Sequence, residues 1–259
     1  MQHAVWEYFL LIGGGFLAGI INTLAGNGSA VTLPLLMFLG LDASTANATN
    51  RVGVLLQTST GAASLRRTPR TKMLIKKSLW YYVPTILGSA FGAWVAVDIN
   101  PNAMRLIIGF LMVFLLFTIV NKPKRWLINT DPAKNKKTFW QWMLFFAIGF
   151  YGGFIQMGIG ILILSSLVLL VKYSLRDANI IKIMVALVMI VPAFIIFFAS
   201  GKILWLEGGV LAIGTSAGAW YGTRYLLYHP KASNIIRYVL ILVMVLAIVK
   251  IFWPYVFAT

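Results

Sequence analysis

The sequence predicts an all-α membrane protein of two inverted five-segment repeats, each with a helix pair broken at glycine near the membrane midplane. Three observations carry that expectation. The 259 residues are 60% hydrophobic and 11% charged, with a mean hydropathy of +0.86, whereas soluble domains run about 45–50% apolar and about 25% charged. Two runs, residues 8–41 and 138–171, contain no Asp, Glu, Lys or Arg, and glycines interrupt both. Short glycine-rich patterns also recur, in the same order, in the two halves.

No soluble fold of this size has interior enough for so much apolar surface. A disordered chain, a disulfide-rich secreted domain and a cytosolic enzyme are excluded by the same composition. Cysteine is absent, which removes disulfides, thiolate nucleophiles and Cys metal sites. The net charge of +16 comes from 22 Lys plus Arg against 6 Asp plus Glu. These charges lie between apolar runs rather than along one face, so the partner they predict is the lipid bilayer and not nucleic acid. The N-terminus carries Glu7 and no Lys or Arg before its apolar run, and reads as a retained segment rather than a signal peptide.

A hydrocarbon core about 30 Å thick needs about 20 helical residues. As a straight helix, residues 8–41 would be about 50 Å long, too long for one crossing. Gly26-Asn27-Gly28 divides the first run and Gly158-Ile159-Gly160 the second. Glycine breaks helices through its backbone entropy and its tolerance of positive φ. Each run therefore reads as a long helix followed by a short one. The other predicted spans are 43–65, 79–97, 103–121, 177–201, 206–226 and 235–256. Residues 66–77, 98–102 and 201–207 read as loops. The polar, basic stretch 122–137 reads as a cytoplasmic linker between a first repeat, 1–121, and a second, 138–259.

The repeats themselves are visible. Gly15-Phe-Leu-Ala-Gly19 recurs as Gly149-Phe-Tyr-Gly-Gly153, and Gly88-Ser-Ala-Phe-Gly92-Ala-Trp94 as Gly214-Thr-Ser-Ala-Gly218-Ala-Trp220. Ala46-Asn47 recurs as Ala178-Asn179. Small-xxx-small patterns are common where membrane helices approach closely, which accounts for one match but not three in order. Basic residues at 66–77 and 122–137 place both stretches in the cytoplasm. Span 79–97 then runs outward and its repeat partner 206–226 inward, the inverted plan of many secondary transporters. Both termini are expected outside the cytoplasm, in an inner-membrane protein.

The pattern from Gly19-Ile-Ile-Asn22 through Gly26-Asn-Gly28-Ser-Ala-Val-Thr-Leu-Pro34 resembles the first signature of the TauE/SafE family of membrane anion transporters. Ala46-Asn-Ala-Thr-Asn50-Arg51 is similar to the family's next element, and Gly149–Ile155 with Ala178–Lys182 to its repeat. The resemblance covers nearly the whole chain. It implies transport, export above all, of sulfite, an organosulfonate or a related sulfur oxyanion. Asn27 and Ser29 stand where family members are often richer in glycine, and Gln156-Met157 precede the second break. These departures fall where a substrate would be read.

The residues point the same way. A dehydrated anion needs donors and positive potential, and a helix that starts inside a membrane offers both. Gly26, Gly28, Gly158 and Gly160 are candidates for framing such starts, with Asn27 and Ser29 as side-chain donors or caps. Charge within the spans reads as limited to Arg51 and Lys182, and both are singled out as anion contacts. The alternative for each is snorkelling, Arg51 toward Asp42 and Lys182 toward Asp177. On a helix Asn47 shares a face with Arg51, with Asn50 and Gln57 alongside, and Asn179 and Lys182 form the matching pair. Gln156 completes the candidate substrate-binding set. The six acidic residues lie at span ends or in loops, leaving no carboxylate cage for a metal. No cofactor motif and no enzyme constellation is present. The expected function is a small-anion exporter working by alternating access. The alternatives are an anion channel and a non-transporting membrane assembly subunit.

Overall fold

The computed structural model describes residues 5–65, 68–120, 138–226 and 232–256, and every regular element among them is helical. The predicted linker at 122–137 lies outside the described residues. Ten α-helices follow one another: α1 (Val5–Ala25), α2 (Ser29–Phe38), α3 (Ala43–Ala63), α4 (Pro69–Val97), α5 (Pro101–Val120), α6 (Phe139–Phe154), α7 (Ile159–Ser165), α8 (Leu175–Ala199), α9 (Trp205–Tyr221) and α10 (Ala232–Val256). A π-helical turn extends α7 (Ser166–Leu170) and another extends α9 (Gly222–Leu226).

Four segments are long and apolar enough to cross a membrane: Val5–Ala25, Pro101–Val120, Leu175–Ala199 and Ile235–Trp253. Large apolar side chains cover the outside, including Phe117, 67% exposed, and Ile213, 64% exposed. Lipid is the solvent that tolerates such a surface. The tryptophans expected at a membrane interface, Trp6, Trp80, Trp140, Trp205 and Trp253, are all exposed.

One boundary differs clearly from the sequence expectation. Residues 70–77 are the first turns of α4 rather than a loop. Thr68 caps that helix, its hydroxyl accepting from Thr71 N at 3.1 Å, and Pro69 sits at N1, where its missing N–H costs nothing. The helix thus runs on through the basic stretch.

The two broken runs fold back as hairpins. Gly14 of α1 lies against Leu35 of α2, and Gly28 against Ala18 and Asn22. In α6 and α7, Gly152 meets Ile159, and the Tyr151 hydroxyl donates to Met157 O. Packing then follows the repeated glycines. Gly88 and Gly92 of α4 sit on the carbonyls of Phe146 and Phe150 in α6, while Gly149 and Gly153 sit on those of Thr85 and Ser89. Gly214 and Gly218 of α9 meet Ile12 and Phe16 of α1 in the same manner, with Gly15 and Gly19 returning the contact to Leu211 and Thr215. Helix α3 packs on α8, α4 on α8, and α9 on α3. Helices α5 and α10 run antiparallel, since Arg237 donates to Ile119 O and Val120 O while Gly109 meets Phe252.

Two polar clusters mark opposite ends. At one, Ser44 Oγ donates to Ile99 O (3.2 Å) and Lys202 Nζ to Val97 O. At the other, Arg70 grips Asp177 through two hydrogen bonds of 3.0 and 2.9 Å. Asp42 caps α3, its Oδ1 accepting from Ser44 N and Thr45 N. Burial pushes this carboxyl up, but hydrogen bonds from Thr45 and Ser44, with the Lys202 charge, hold it below its ordinary value. Asp42→Ala is expected to cost about 1 kcal/mol, the usual worth of such a cap. A group whose folded pKa is lowered stabilises above its unfolded value, about 3.9, and loses that contribution as pH falls through the folded pKa. Melting temperatures of wild type and variant should therefore differ at neutral pH and converge in strong acid.

Candidate functional site

Gly26 has φ +68° and Gly158 φ +69°, the left-handed region where a Cβ is penalised. Each turns its hairpin, and the two tips meet backbone to backbone. Gly160 N donates to Gly26 O at 3.2 Å, and a side chain on either residue would press into the other's main chain. The Gly160 amide, expected to face an anion, is therefore already used. Helix α7 is only two turns long and its start is sealed by the opposite hairpin.

Helix α2 begins differently. Its N-cap is Gly28, without a side-chain cap, and Gly28 N donates to Asn22 Oδ1 at 3.3 Å. Ser29 does not cap. Its Oγ accepts from Asn50 Nδ2 at 3.3 Å, and Asn50 Oδ1 accepts from Thr32 Oγ1 at 2.6 Å. This chain of three side chains ties α2 to α3 and occupies both amide atoms of Asn50. Asn27 is the exception. It is 1% exposed, and neither Nδ2 nor Oδ1 has a hydrogen-bond partner. Its Oδ1 lies about 3.5 Å from where a Gly158 Cβ would be. The unpartnered amide thus sits where the two tips meet.

Arg51 is fully buried and does not snorkel toward Asp42. Its NH1 donates to Gly152 O (2.8 Å) and Gln156 Oε1 (2.9 Å), its NH2 to Gly153 O (2.8 Å) and Asn47 Oδ1 (3.2 Å). Asn47 Nδ2 in turn donates to Phe154 O at 2.8 Å. Together, the two residues cap the C-terminus of α6, whose last carbonyls have no partners within the helix and carry the negative end of its dipole. The guanidinium also lies over the Phe197 ring, 4.8 Å from its centroid. Arg51 was expected to touch the anion; its four terminal hydrogen bonds instead go to protein. Gln156, a non-glycine residue at φ +61°, is held in that strained conformation partly by its bond to Arg51.

The rest of the predicted set is dispersed. Gln57 donates to Gly19 O at 3.3 Å, on the side of α3 that faces α1. Asn179 donates to Leu175 O of its own helix and is not drawn to Lys182. Lys182 is half-buried on α8 and makes no hydrogen bond or ion pair among the described residues. Sequence reasoning missed Asn22, whose i+6 reach to the break was readable only from the hairpin, and Thr32, one turn from Ser29. It also overlooked Arg105 and Lys250 as charges inside helices, although they lie within α5 and α10.

The buried, unpartnered amide of Asn27 thus lies at the seam of the two hairpins. The chain is 25% identical over 91% of its length, and 88% of the relative's, to a probable membrane transporter protein, ORF9, of a Sinorhizobium species. It is 26% identical to a probable membrane transporter protein of Haemophilus influenzae, covering 86% of each chain. Against the probable membrane transporter protein YfcA of Escherichia coli it is 25% identical, over 88% of this chain and 82% of that one. No solved structure matches. The model of the family described as sulfite exporter TauE/SafE matches residues 11–251, and the chain belongs to that family.

Proposed function

We propose that the chain is a secondary transporter that exports a small anion, sulfite, an organosulfonate or a related sulfur oxyanion, across the inner membrane by alternating access. The anion and the bilayer are then its partners, and no cofactor takes part. The observation that carries this reading is the Asn27 amide, buried without a partner at the start of α2. An unpaired buried polar group costs about 1–3 kcal/mol, so native proteins rarely keep one without use. A dehydrated anion would accept from Nδ2 in the positive field of the α2 N-terminus. Oδ1 would remain for a proton or water carried in with it.

Two inverted repeats fit this use. Exchanging α1–α5 for α6–α10 turns the α1–α9 contact into α6–α4 and the α3–α9 contact into α8–α4. Each hairpin returns toward the end it came from, and the tips meet between those ends. This supports breaks near the midplane, where transporters of this plan bind substrate. With the Arg70 end in the cytoplasm by its charge, both termini are extracytoplasmic.

The test is Asn27→Leu, nearly isosteric and without the amide. The stability of the ligand-free protein should hold or rise, because the unpaired amide is gone. The thermal shift with sulfite, thiosulfate or a small sulfonate should vanish, binding weakening about tenfold or more. Wild-type anion flux in proteoliposomes of this variant would sink the proposal. Single-channel currents far above carrier turnover would favour a channel instead.

A further inference from the structure

The end of the molecule that carries Asp42 also carries a cationic groove remote from the hairpin tips. A cavity of about 300 Å³ lies between the end of α2, the start of α5 and the last turns of α10, with Met37, Asn102, Arg105 and Lys250 on its walls. It continues into a groove of about 550 Å³ that shares Phe38, Arg105 and Lys250 and is otherwise walled by Leu246, Val249 and Trp253. The cavity half carries Asp42 and Asn102 beside the shared Arg105 and Lys250, among apolar walls, whereas the groove half has only apolar walls of its own. Leu246, Val249 and Trp253 are each more than half exposed on the outward face of α10, so the apolar half opens onto the lipid-facing surface.

Neither cation has a carboxylate partner among the described residues. Arg105 Nε is buried without a hydrogen-bond partner. Lys250 is exposed, with its Nζ resting over the Phe38 ring, 3.9 Å from the centroid. The one carboxylate on the cavity wall, Asp42, is engaged by the α3 amides and by the charge of Lys202. On the proposed topology this end faces away from the cytoplasm, where an unpaired cation still attracts an anionic headgroup in direct contact with it, and a guanidinium presents a donor fork that matches phosphate oxygens.

We propose that this groove binds an anionic phospholipid of the surrounding bilayer, its phosphodiester between Arg105 and Lys250, its glycerol region beside Trp253 and an acyl chain along Leu246 and Val249. A freely soluble anion would use the cations but leave the apolar half empty. A zwitterionic lipid would fill the apolar half but bring its own cation to the pair. An anionic lipid satisfies both halves. Bound there, it would bridge α5 and α10, a pair that otherwise holds by apolar contact and the Arg237 bonds at its far end.

The experiment uses the purified full chain in neutral detergent, with lipid retention read by native mass spectrometry and melting temperature read in parallel. Dioleoylphosphatidylglycerol, dioleoylphosphatidylcholine and soluble glycerol 3-phosphate are compared at equal concentration. The phosphatidylglycerol is expected to be retained preferentially and to raise the melting temperature. Arg105→Gln and Lys250→Gln should each weaken that retention about fivefold, and the double variant about 25-fold, leaving phosphatidylcholine unchanged. Lys250→Glu, on an exposed side chain, provides the same reading if the double variant folds poorly. Equal retention of the two lipids, or a phosphatidylglycerol preference that survives Lys250→Glu and the double variant, would overturn the proposal. So would glycerol 3-phosphate reproducing the stabilisation, which would mark a soluble-anion site. Asn27→Leu should keep the lipid preference, so this result stands or falls separately from the transport reading.

Discussion

Arg51→Met is expected to unfold the protein or lower its yield sharply, even with no substrate present. Methionine fills much of the volume but donates nothing. The carbonyls of Gly152 and Gly153, Gln156 Oε1 and Asn47 Oδ1 would each lose the donor they now have. Removing one partner from a buried charged network costs about 3–5 kcal/mol, a large part of the 5–15 kcal/mol typical of a folded domain. The loss falls at the C-terminus of α6, so the second hairpin would fray at its turn and Gln156 would leave its left-handed conformation. Arg51→Lys keeps the charge but not the fork, and should be intermediate. The measurement is the melting temperature and monodisperse yield of the ligand-free variants. A ligand-free Arg51→Met melting within about 1 °C of wild type, with only anion binding lost, would return Arg51 to the substrate site and refute its capping role.

The second large effect separates helix glycines by sign. Gly92→Leu and Gly218→Leu should each prevent accumulation of folded protein, because even a Cβ there would overlap the carbonyl oxygen of Phe150 or Phe16. The matching alanine variants should be destabilised by about 1–3 kcal/mol, the usual cost of overpacking. Gly13 of α1 and Gly209 of α9 have nothing within 4 Å of an added Cβ. Alanine at those two positions should be neutral or stabilising by up to about 1 kcal/mol, since it restricts the unfolded chain and favours the helix. Thermal melts of the four alanine variants under one condition decide the matter. Equal effects at all four would mean that the repeated glycines do not set the distance between helices.

The internal repeat matters for both predictions. Gly88, Gly92, Gly149 and Gly153 form one contact, and Gly15, Gly19, Gly214 and Gly218 the other. Helix association in lipid gains little from the hydrophobic effect, so close backbone approach has to supply it. The glycines that read as a repeat in the sequence are thus the ones that hold each half's hairpin against the other half.

Much of this was legible from local signals. Hydropathy and charge determined the membrane class and the rough extent of α3, α5, α8, α9 and α10, because lipid demands long uncharged helices. Gly26 and Gly158, at φ near +68°, do fall between helices, where glycine is tolerated best, but the second gap runs from Ile155 to Gly158, ahead of the expected Gly158-Ile159-Gly160, and Gly160 lies inside α7. The pairing of Asn47 with Arg51 followed from helical spacing alone. The N-terminal turns of α4 were misread because a basic stretch outside the hydrocarbon can be loop or helix, and a single Thr-Pro cap decided it.

What only the tertiary structure decided was which polar groups are spent. Arg51, Gly160, Ser29 and Asn50 all carry the chemistry of an anion site. In the folded chain Gly160 N, Ser29 Oγ, both amide atoms of Asn50 and the terminal nitrogens of Arg51 are engaged, apart from Asn47 one turn back by segments at least 18 residues away in sequence, and Arg51 keeps only its Nε without a partner. Asn27 looked like one donor among several and proved to be the unpartnered amide at the seam. A hydrogen-bonding group is available to a ligand only after every internal partner is counted, and those partners come from chain segments that no local pattern relates.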